Sequence, residues 1–463
     1  MTDTTYVRIL PFASEEFSGV LQPGSYIPIF APAGFAYRLP ENAAPHTIRH
    51  QARLLSHQQR TNFHGRVSID NEGVDDNLAI AFAGGLYLGQ YQSGNWKSEK
   101  PTHPFADTTA AMAFKHDSPE LTAAYQRERV LAATQLQIMA LVDAPANIKR
   151  PQYLAEWAVH SAGKYGYGIK VLDKEECKEE GLGALLAVNR GSEDPAKFIV
   201  MEYKGGAAGA VNDGDSKIPK VALIGKGITF DTGGVSIKGS QNLHLMKSDM
   251  GGAAAVLGTM EAAAKLQLPV HLIGIVPSTD NSVDALSIKP SDVITGHSGK
   301  TIEIIDTDAE GRLVMSDGLS YATTYYSPDY LLDIATLTGS AVRTFGYECA
   351  AVMSKNDTLV DGLRKAGGVT GERVWPLPTW DEYRSGLDSD VADIKNFSGK
   401  PINGAIDAFK FLEFFTDEHP AFVHLDIAGV ALKQGPFAKD RQATGFGMRL
   451  LIEWLRSLGA HAL

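Results

Sequence analysis

Lys226, Asp231, Lys238, Asp249, Asp308, Glu310 and Arg312 fall in three short polar segments, GKGITFDTGGVSIK, LMKSDMGGAAAV and IEIIDTDAEGRLVMSDG, set among β-rich and glycine-rich stretches. Charge beside a core is costly to desolvate, so residues kept there usually bind something. The carboxylates of Asp231, Asp249, Asp308 and Glu310 suit Zn²⁺, Mn²⁺ or Mg²⁺, and one carboxylate can bridge two ions through its two oxygens. Ions held ~3.5 to 4 Å apart in this way clamp an attacking water and polarise a carbonyl. A lysine that ligates metal must first lose its proton, at a cost of about 4 to 5 kcal/mol at neutral pH, which two adjacent dications can offset. Lysine or arginine side chains that do not ligate can stabilise an oxyanion.

Blander chemistry accounts for parts of this pattern. A glycine-rich loop with one lysine and one aspartate is often a turn with a surface ion pair. Asp249 alone can serve as a helix N-cap. Asp306, Asp308, Glu310, Gly311, Leu313 and Asp317 fall nearly on the ligand positions of a helix-loop-helix calcium site, but GKTIEIID before them is a strand pattern where that site needs a helix. The chain has no HExxH and no GxSxG, and GHSGKT has Ile294 where a phosphate loop needs its first glycine.

The elements that must position these charges follow from apolar periodicity. KVALIG, PVHLIGIVP, TIEIID, YLLDIATL and AFVHLDIAGV are near-continuous apolar runs rich in β-branched residues, which suit strands covered on both faces. Between and after them, MGGAAAVLGTMEAAAKL, EGRLVMSDGLSYATTYY, AIDAFKFLEFFTDE and ATGFGMRLLIEWLRSLG are helical by period. The expected fold class is α/β: a catalytic domain over 152–463 with a central, largely buried mixed sheet flanked by helices on both faces, plus a smaller N-terminal α/β domain over 1–142. Glu120 to Val142 reads as one long linker helix, and DAPANIKRP after it breaks the pattern with two prolines. Open sheets bind ligands at the carboxyl ends of their strands. Each charged segment is expected to begin where a strand stops, so one site can collect all three.

Bulk composition narrows the class. With 463 residues, 44% hydrophobic and 21% charged, the chain can bury two cores without staples. Its net charge of -11, with no Lys/Arg run, argues against nucleic acid as a partner. Cys177 and Cys349 are too few for a disulfide framework. The start MTDTTYVRILPF lacks the basic and apolar regions of a signal peptide, and no apolar run approaches the ~20 residues of a membrane helix. The expectation is a cytoplasmic protein with no membrane partner.

GKGITFDTGGVSIK, MKSDMGGAAAV, DTDAEGRLVMSDGL, DIATLTG, HLDIAGVA and ATGFGMRLL resemble, in the same order, the signature segments of the leucine aminopeptidase (cytosol aminopeptidase) family. The resemblance covers roughly Leu141 to the C-terminus. It implies a dinuclear metallo-exopeptidase that removes N-terminal, leucine-like residues from peptides by activating a bridging water, with a role in intracellular peptide turnover. Carried over, Lys226, Asp231, Asp249 and Glu310 hold a tightly bound ion. Asp231, Asp308 and Glu310, with the Asp308 main-chain oxygen, hold an exchangeable one. The ions implied are Zn or Mn, with Mg or Co as further candidates. Lys238 would stabilise the tetrahedral intermediate, and Arg312 would hold a bicarbonate that shuttles protons. The main chain of Leu337 and Gly339 would align the peptide, and Met246 would line the pocket for its first side chain. The family also implies a homohexamer and substrates with a free N-terminus. Two positions depart from the family pattern: Asp306 stands where Asn is usual, adding charge beside Asp308, and Thr232 where Ser is common. The rival classes are a DNA-binding role, known for some bacterial members, and another two-metal hydrolase such as a phosphatase or amidase.

Overall fold

The computed structural model describes residues 4–30, 32–63, 65–93, 96–100, 112–205 and 218–460. The chain divides into two units. The first holds 1–136 with 369–371 and 434–442; the second holds 137–368, 372–433 and 443–463. The division falls inside the long helix Pro119–Asp143.

The first unit is built on a five-stranded sheet ordered Tyr26–Phe30, Ala33–Arg38, Thr4–Leu10, Arg66–Asp70, Met112–Phe114, with only the first pair antiparallel. Strand alternation puts Val7, Ile9, Phe35, Tyr37, Val67 and Ile69 on one face, where they form one core with Ile48, Leu55, Phe82 and Leu86 of the helices Pro45–Gln58 and Asp76–Leu88. The apolar run LAIAFAGGLYL therefore belongs to a helix, capped by Asp75, whose carboxylate accepts from Asn77 N and Leu78 N.

The second unit carries a nine-stranded mixed sheet. Its order is Val374–Pro376, Ala350–Met353, Phe422–Asp426, Tyr330–Ala335, Lys220–Gly225, His271–Asn281, Lys197–Lys204, Gly168–Leu172, with Gly227–Asp231 also pairing with His271–Asn281. Phe422–Asp426, Tyr330–Ala335, Lys220–Gly225 and His271–Asn281 are mutually parallel, so their carboxyl ends emerge on one side. Both faces of these strands are buried. Ala222, Ile224, Ile275 and Leu331 share a core with Leu313, Val314 and Leu319 of the helix Glu310–Tyr326. The alternate residues Val221, Leu223, Leu272 and Leu332 are equally buried, on the side where the helix Gly251–Leu266 packs.

Two expectations are corrected. TIEIID does not join the central sheet: only Thr301–Glu303 is strand, in a three-stranded sheet with Val293–Thr295 and Ile394–Lys395. Ile302 and Ile304 are buried while Glu303 and Ile305 are partly exposed, the alternation of a one-sided strand. The three charged segments also do not all follow central strands. Lys226 does; Asp249 follows a short 3₁₀ turn, Leu243–Ser248, and Asp308 lies in the turn after Thr301–Glu303.

Candidate metal centre

Lys226 is fixed by its backbone before its side chain matters. Its N–H donates to Ile334 O at 3.1 Å and its carbonyl accepts from Ala253 N at 2.9 Å, which locks the end of the central strand between a neighbouring strand and a helix N-terminus. Its buried Nζ lies 2.7 Å from Asp249 Oδ2 and 2.9 Å from Glu310 Oε1, and donates to Thr336 O at 3.2 Å. Gly311 makes this possible, because a Cβ there would stand 2.6 Å from Lys226 Nζ and closer still to Cε.

Asp231 ends the strand Gly227–Asp231. Its Oδ1 accepts from Gly233 N at 2.8 Å and Asn281 Nδ2 at 2.9 Å, and its Oδ2 lies 2.8 Å from Lys238 Nζ. The loop returns Lys238 to this position through Lys238 N to Thr232 O at 2.9 Å. Gly233, at φ +87°, takes a backbone conformation that a side chain would strain, and a Cβ there would come within 2.9 Å of Asp308 Oδ1. Lys238 Nζ also pairs with Asp308 Oδ1. Asp249 accepts from Thr336 Oγ1 at 2.7 Å.

Asp231, Asp308 and Glu310 each bring a carboxylate oxygen within 4.8 Å of the others. Four carboxylates against two ammonium groups leave two formal negative charges in a largely buried space. Burial, joined by repulsion from Asp231 and Glu310, holds Asp249 and Asp308 above the usual carboxylate range, even though Lys226 and Lys238 oppose the shift. Burial disfavours the Lys226 charge, yet Asp249, Glu310 and Asp231 outweigh it and raise the ammonium well above an ordinary lysine; Lys238 is raised likewise, by Asp231, Glu310 and Asp308. Such a cluster favours cations of higher charge than it contains. The donors fit a divalent pair on a further ground: Glu310 Oε2 is buried and has no hydrogen-bond partner among the described residues.

Arg312, the third residue of Glu310–Tyr326, donates from Nη1 to Asn396 O at 2.9 Å, while its buried Nε has no partner among the described residues. Burial lowers its guanidinium from the ordinary value against the opposing charges of Asp407, Glu310, Asp306 and Asp426. Met246 sits half-buried in the Leu243–Ser248 turn, three residues before Asp249. The Leu337 N–H is taken by Asp426 Oδ1 at 3.2 Å, and Gly339 opens the helix Gly339–Phe345 in an exposed position. The structure thus gathers Lys226, Asp231, Lys238, Asp249, Asp308 and Glu310 into one cluster. Arg312, Leu337 and Gly339 belong to elements that carry or contact it, Leu337 through its side chain beside Gly311.

Sequence reasoning missed the residues that hold the cluster in shape. Asn281 bridges Asp231 Oδ1 and Thr307 O, the latter at 3.1 Å. Fully buried Asn396 accepts from Ile305 N at 2.8 Å and Asp306 N at 3.2 Å, donates to Asp306 O at 2.6 Å, and offers its own carbonyl to Arg312. The only available signal was an uncharged amide at the end of an apolar run, which is weak. Asp306 Oδ1 accepts from Asp308 N at 2.9 Å and so shapes the turn that presents Asp308. Asp317 belongs elsewhere, accepting from Leu185 N and His297 N, and the helix begins at Glu310 where a calcium loop would still be open.

The catalytic-domain model of the cytosol aminopeptidase family matches residues 138–452, a span that contains every residue of this cluster. The chain belongs to the cytosol aminopeptidase family. A relative named "Probable cytosol aminopeptidase" from Chlorobium limicola is 42% identical over 391 residues, covering 82% of this chain and 75% of that protein. One of the same name from Geobacter sp. strain M21 is 44% identical over 376 residues, covering 80% and 74%. Among solved structures, the bottromycin maturation enzyme BotP in complex with Mn superposes with a TM-score of 0.86 at 30% identity, covering 99% of this chain and all of that one. Membership carries aminopeptidase activity, the work of a metal-dependent exopeptidase hydrolase. Among the described residues no helix is long and apolar enough to cross a membrane.

Proposed function

We propose that this chain is a leucyl-type aminopeptidase that removes apolar first residues from peptides with a free N-terminus, as part of peptide turnover in the cytoplasm. The observation that carries this reading is the meeting of four carboxylates, drawn from three segments, beside two lysines at the carboxyl end of a buried sheet. Lys226, Asp231, Asp249 and Glu310 would hold one divalent ion, and Asp231, Asp308 and Glu310 a second, with Zn or Mn first and Mg or Co as further candidates. When bound, such a pair supplies Lewis-acid activation of water and polarisation of the scissile carbonyl. BotP, solved with Mn, supports an ion of this class.

The chain's own groups then have distinct tasks. Lys226 must give up its proton to ligate. Lys238, already poised between Asp231 and Asp308, donates to the oxygen that gains charge as the carbonyl becomes tetrahedral. The unpartnered Nε of Arg312 offers a donor to an anion such as bicarbonate, which would relay the proton to the leaving amine. With the Leu337 N–H occupied, its carbonyl is the group left to accept from the peptide backbone, and Gly339 N–H, in the first turn of its helix, is the complementary donor. Met246 would form one wall of the pocket for the first side chain. By resemblance to the family the working assembly is a homohexamer; the net charge of -11 without a Lys/Arg run, and the lack of a long apolar run, speak against a nucleic acid or membrane partner.

The test is hydrolysis of leucine p-nitroanilide beside its N-acetyl analogue, after loading with Mn²⁺ or Zn²⁺. Cleavage of the first alone is expected, because the free amine is part of recognition. Equal cleavage of both, or cleavage only of a phosphate ester, would replace this reading with that of another two-metal hydrolase.

A further inference from the structure

Asp426 ends the strand Phe422–Asp426, where it pairs in register with Ala335, and it is completely buried. Its Oδ1 accepts from Leu337 N and from Ala428 N, both at 3.2 Å, and its Oδ2 accepts from Thr338 Oγ1 at 2.6 Å. Thr338 is in turn the N-cap of Gly339–Phe345, its hydroxyl accepting from Ala341 N at 3.0 Å. Two residues before Thr338, Thr336 receives Lys226 Nζ on its carbonyl and donates its hydroxyl to Asp249. The segment Thr336 to Thr338 is therefore tied to the metal cluster at its first residue and to Asp426 at its next two.

A buried carboxylate whose hydrogen bonds among the described residues all come from neutral donors, with the field of Arg312 to offset its charge, is an expensive way to finish a strand. A neutral side chain could close the same strand end. What the carboxylate does that a donor-bearing side chain would not is accept from every group facing it. It consumes the Leu337 N–H and orients the Thr338 hydroxyl so that its lone pairs cap the following helix. We propose that Asp426 is a positioning residue for peptide alignment: it sets the hydrogen-bond polarity of this segment, so that the substrate backbone meets the Leu337 carbonyl as acceptor and the Gly339 N–H as donor. The inference rests on the assignment of Leu337 and Gly339 as the aligning main chain.

The test compares wild type with Asp426→Asn, Asp426→Ala, Thr338→Val and the Asp426→Ala/Thr338→Val double variant on the dipeptide amide Leu-Gly-NH₂, which unlike the anilide offers a second backbone carbonyl to Gly339 N–H, with bound metal measured in each. Asp426→Ala is expected to raise KM about tenfold with kcat within about twofold and metal content unchanged, the pattern of lost uniform binding. Thr338→Val should raise KM in the same direction, and the double variant should add little to Asp426→Ala, because the two act as one unit. Asp426→Asn, which keeps one acceptor oxygen, should recover part of the loss. An unchanged KM in the single variants, additive effects in the double, or a fall in kcat accompanied by metal loss would overturn the proposal. If Asp426→Ala does not fold, Thr338→Val and Asp426→Asn decide. Wild-type protein inactive on the dipeptide amide would refute the assigned activity itself, whereas active wild type with unresponsive variants would refute only the role of Asp426.

Discussion

Gly311→Ala is the sharpest perturbation of the cluster, because it adds one methyl group to a point where no space exists. The new Cβ would stand 2.6 Å from Lys226 Nζ and 2.8 Å from Leu337 Cδ1, whereas ordinary contact begins at 3.4 Å. Leu337 can rotate, but Lys226 is pinned at both backbone groups and its Cε would be closest of all at 2.4 Å, so its tip must retreat by about 1 Å, an amount of the order that costs a catalytic site ~10²-fold. Its separations from Asp249 and Glu310, now 2.7 and 2.9 Å, would then exceed bonding range. A ligand to zinc sits at about 2.0 to 2.1 Å, so a displacement of this size removes a donor altogether. The fold should tolerate the change, since alanine is favoured over glycine inside a helix by about 1 kcal/mol. The assay is bound metal per chain together with kcat/KM on leucine p-nitroanilide, with Gly368→Ala as a control whose Cβ would meet nothing within 4 Å. Gly311→Ala should lose at least ~10²-fold in kcat/KM and bind the first ion more weakly, with the control unchanged. Wild-type metal binding and turnover in Gly311→Ala would show that Lys226 does not need its present position.

Lys238→Ala should keep its metal content yet lose about 10²-fold in kcat, the usual effect of removing one donor to a developing oxyanion; loss of both ions in this variant would move Lys238 from catalysis to metal binding. Lys149 yields a stability prediction. It is completely buried, donates to Val142 O at 2.8 Å and also to Lys247 O, and burial, with the Lys247 charge adding, depresses it to about 7. Between about pH 7 and the ordinary lysine value near 10.4 the unfolded chain binds a proton that the native state does not, so this group makes stability rise with pH in that window, by on the order of 4 kcal/mol in all. From pH 7.5 to 9.5 the urea midpoint should therefore rise more, or fall less, in wild type than in Lys149→Met, and identical pH slopes would contradict the assignment.

How much of this was legible in the sequence depended on how local the cause was. The helices Gly251–Leu266 and Glu310–Tyr326 were readable because period and composition agree along their whole length, and the strands Lys220–Gly225 and Tyr330–Ala335 because burial on both faces makes them continuously apolar. Gly227–Asp231 was hidden inside a segment whose glycines read as loop, and its strand character comes from pairing with His271–Asn281 rather than from propensity. TIEIID misled because β-branched content does not reveal which sheet a strand joins. In the site, charge drew attention to the ligands, while the residues that aim them are uncharged or distant. Asn396 lies 90 residues beyond Asp306, and Asp426 lies 89 beyond Leu337. Contacts of that span exist only after the sheet has assembled, so no local pattern announces them.

The central claim is that three segments form two adjacent cation sites sharing Asp231 and Glu310, with Asp308 belonging to one and Asp249 to the other. Calorimetric titration of chelator-stripped protein with Mn²⁺ tests it most directly. Wild type should take up two ions per chain in separable steps, Asp308→Asn should retain the tighter step and weaken the other, and Asp249→Asn should do the reverse. A single ion per wild-type chain, or equal damage to both steps from either substitution, would contradict it.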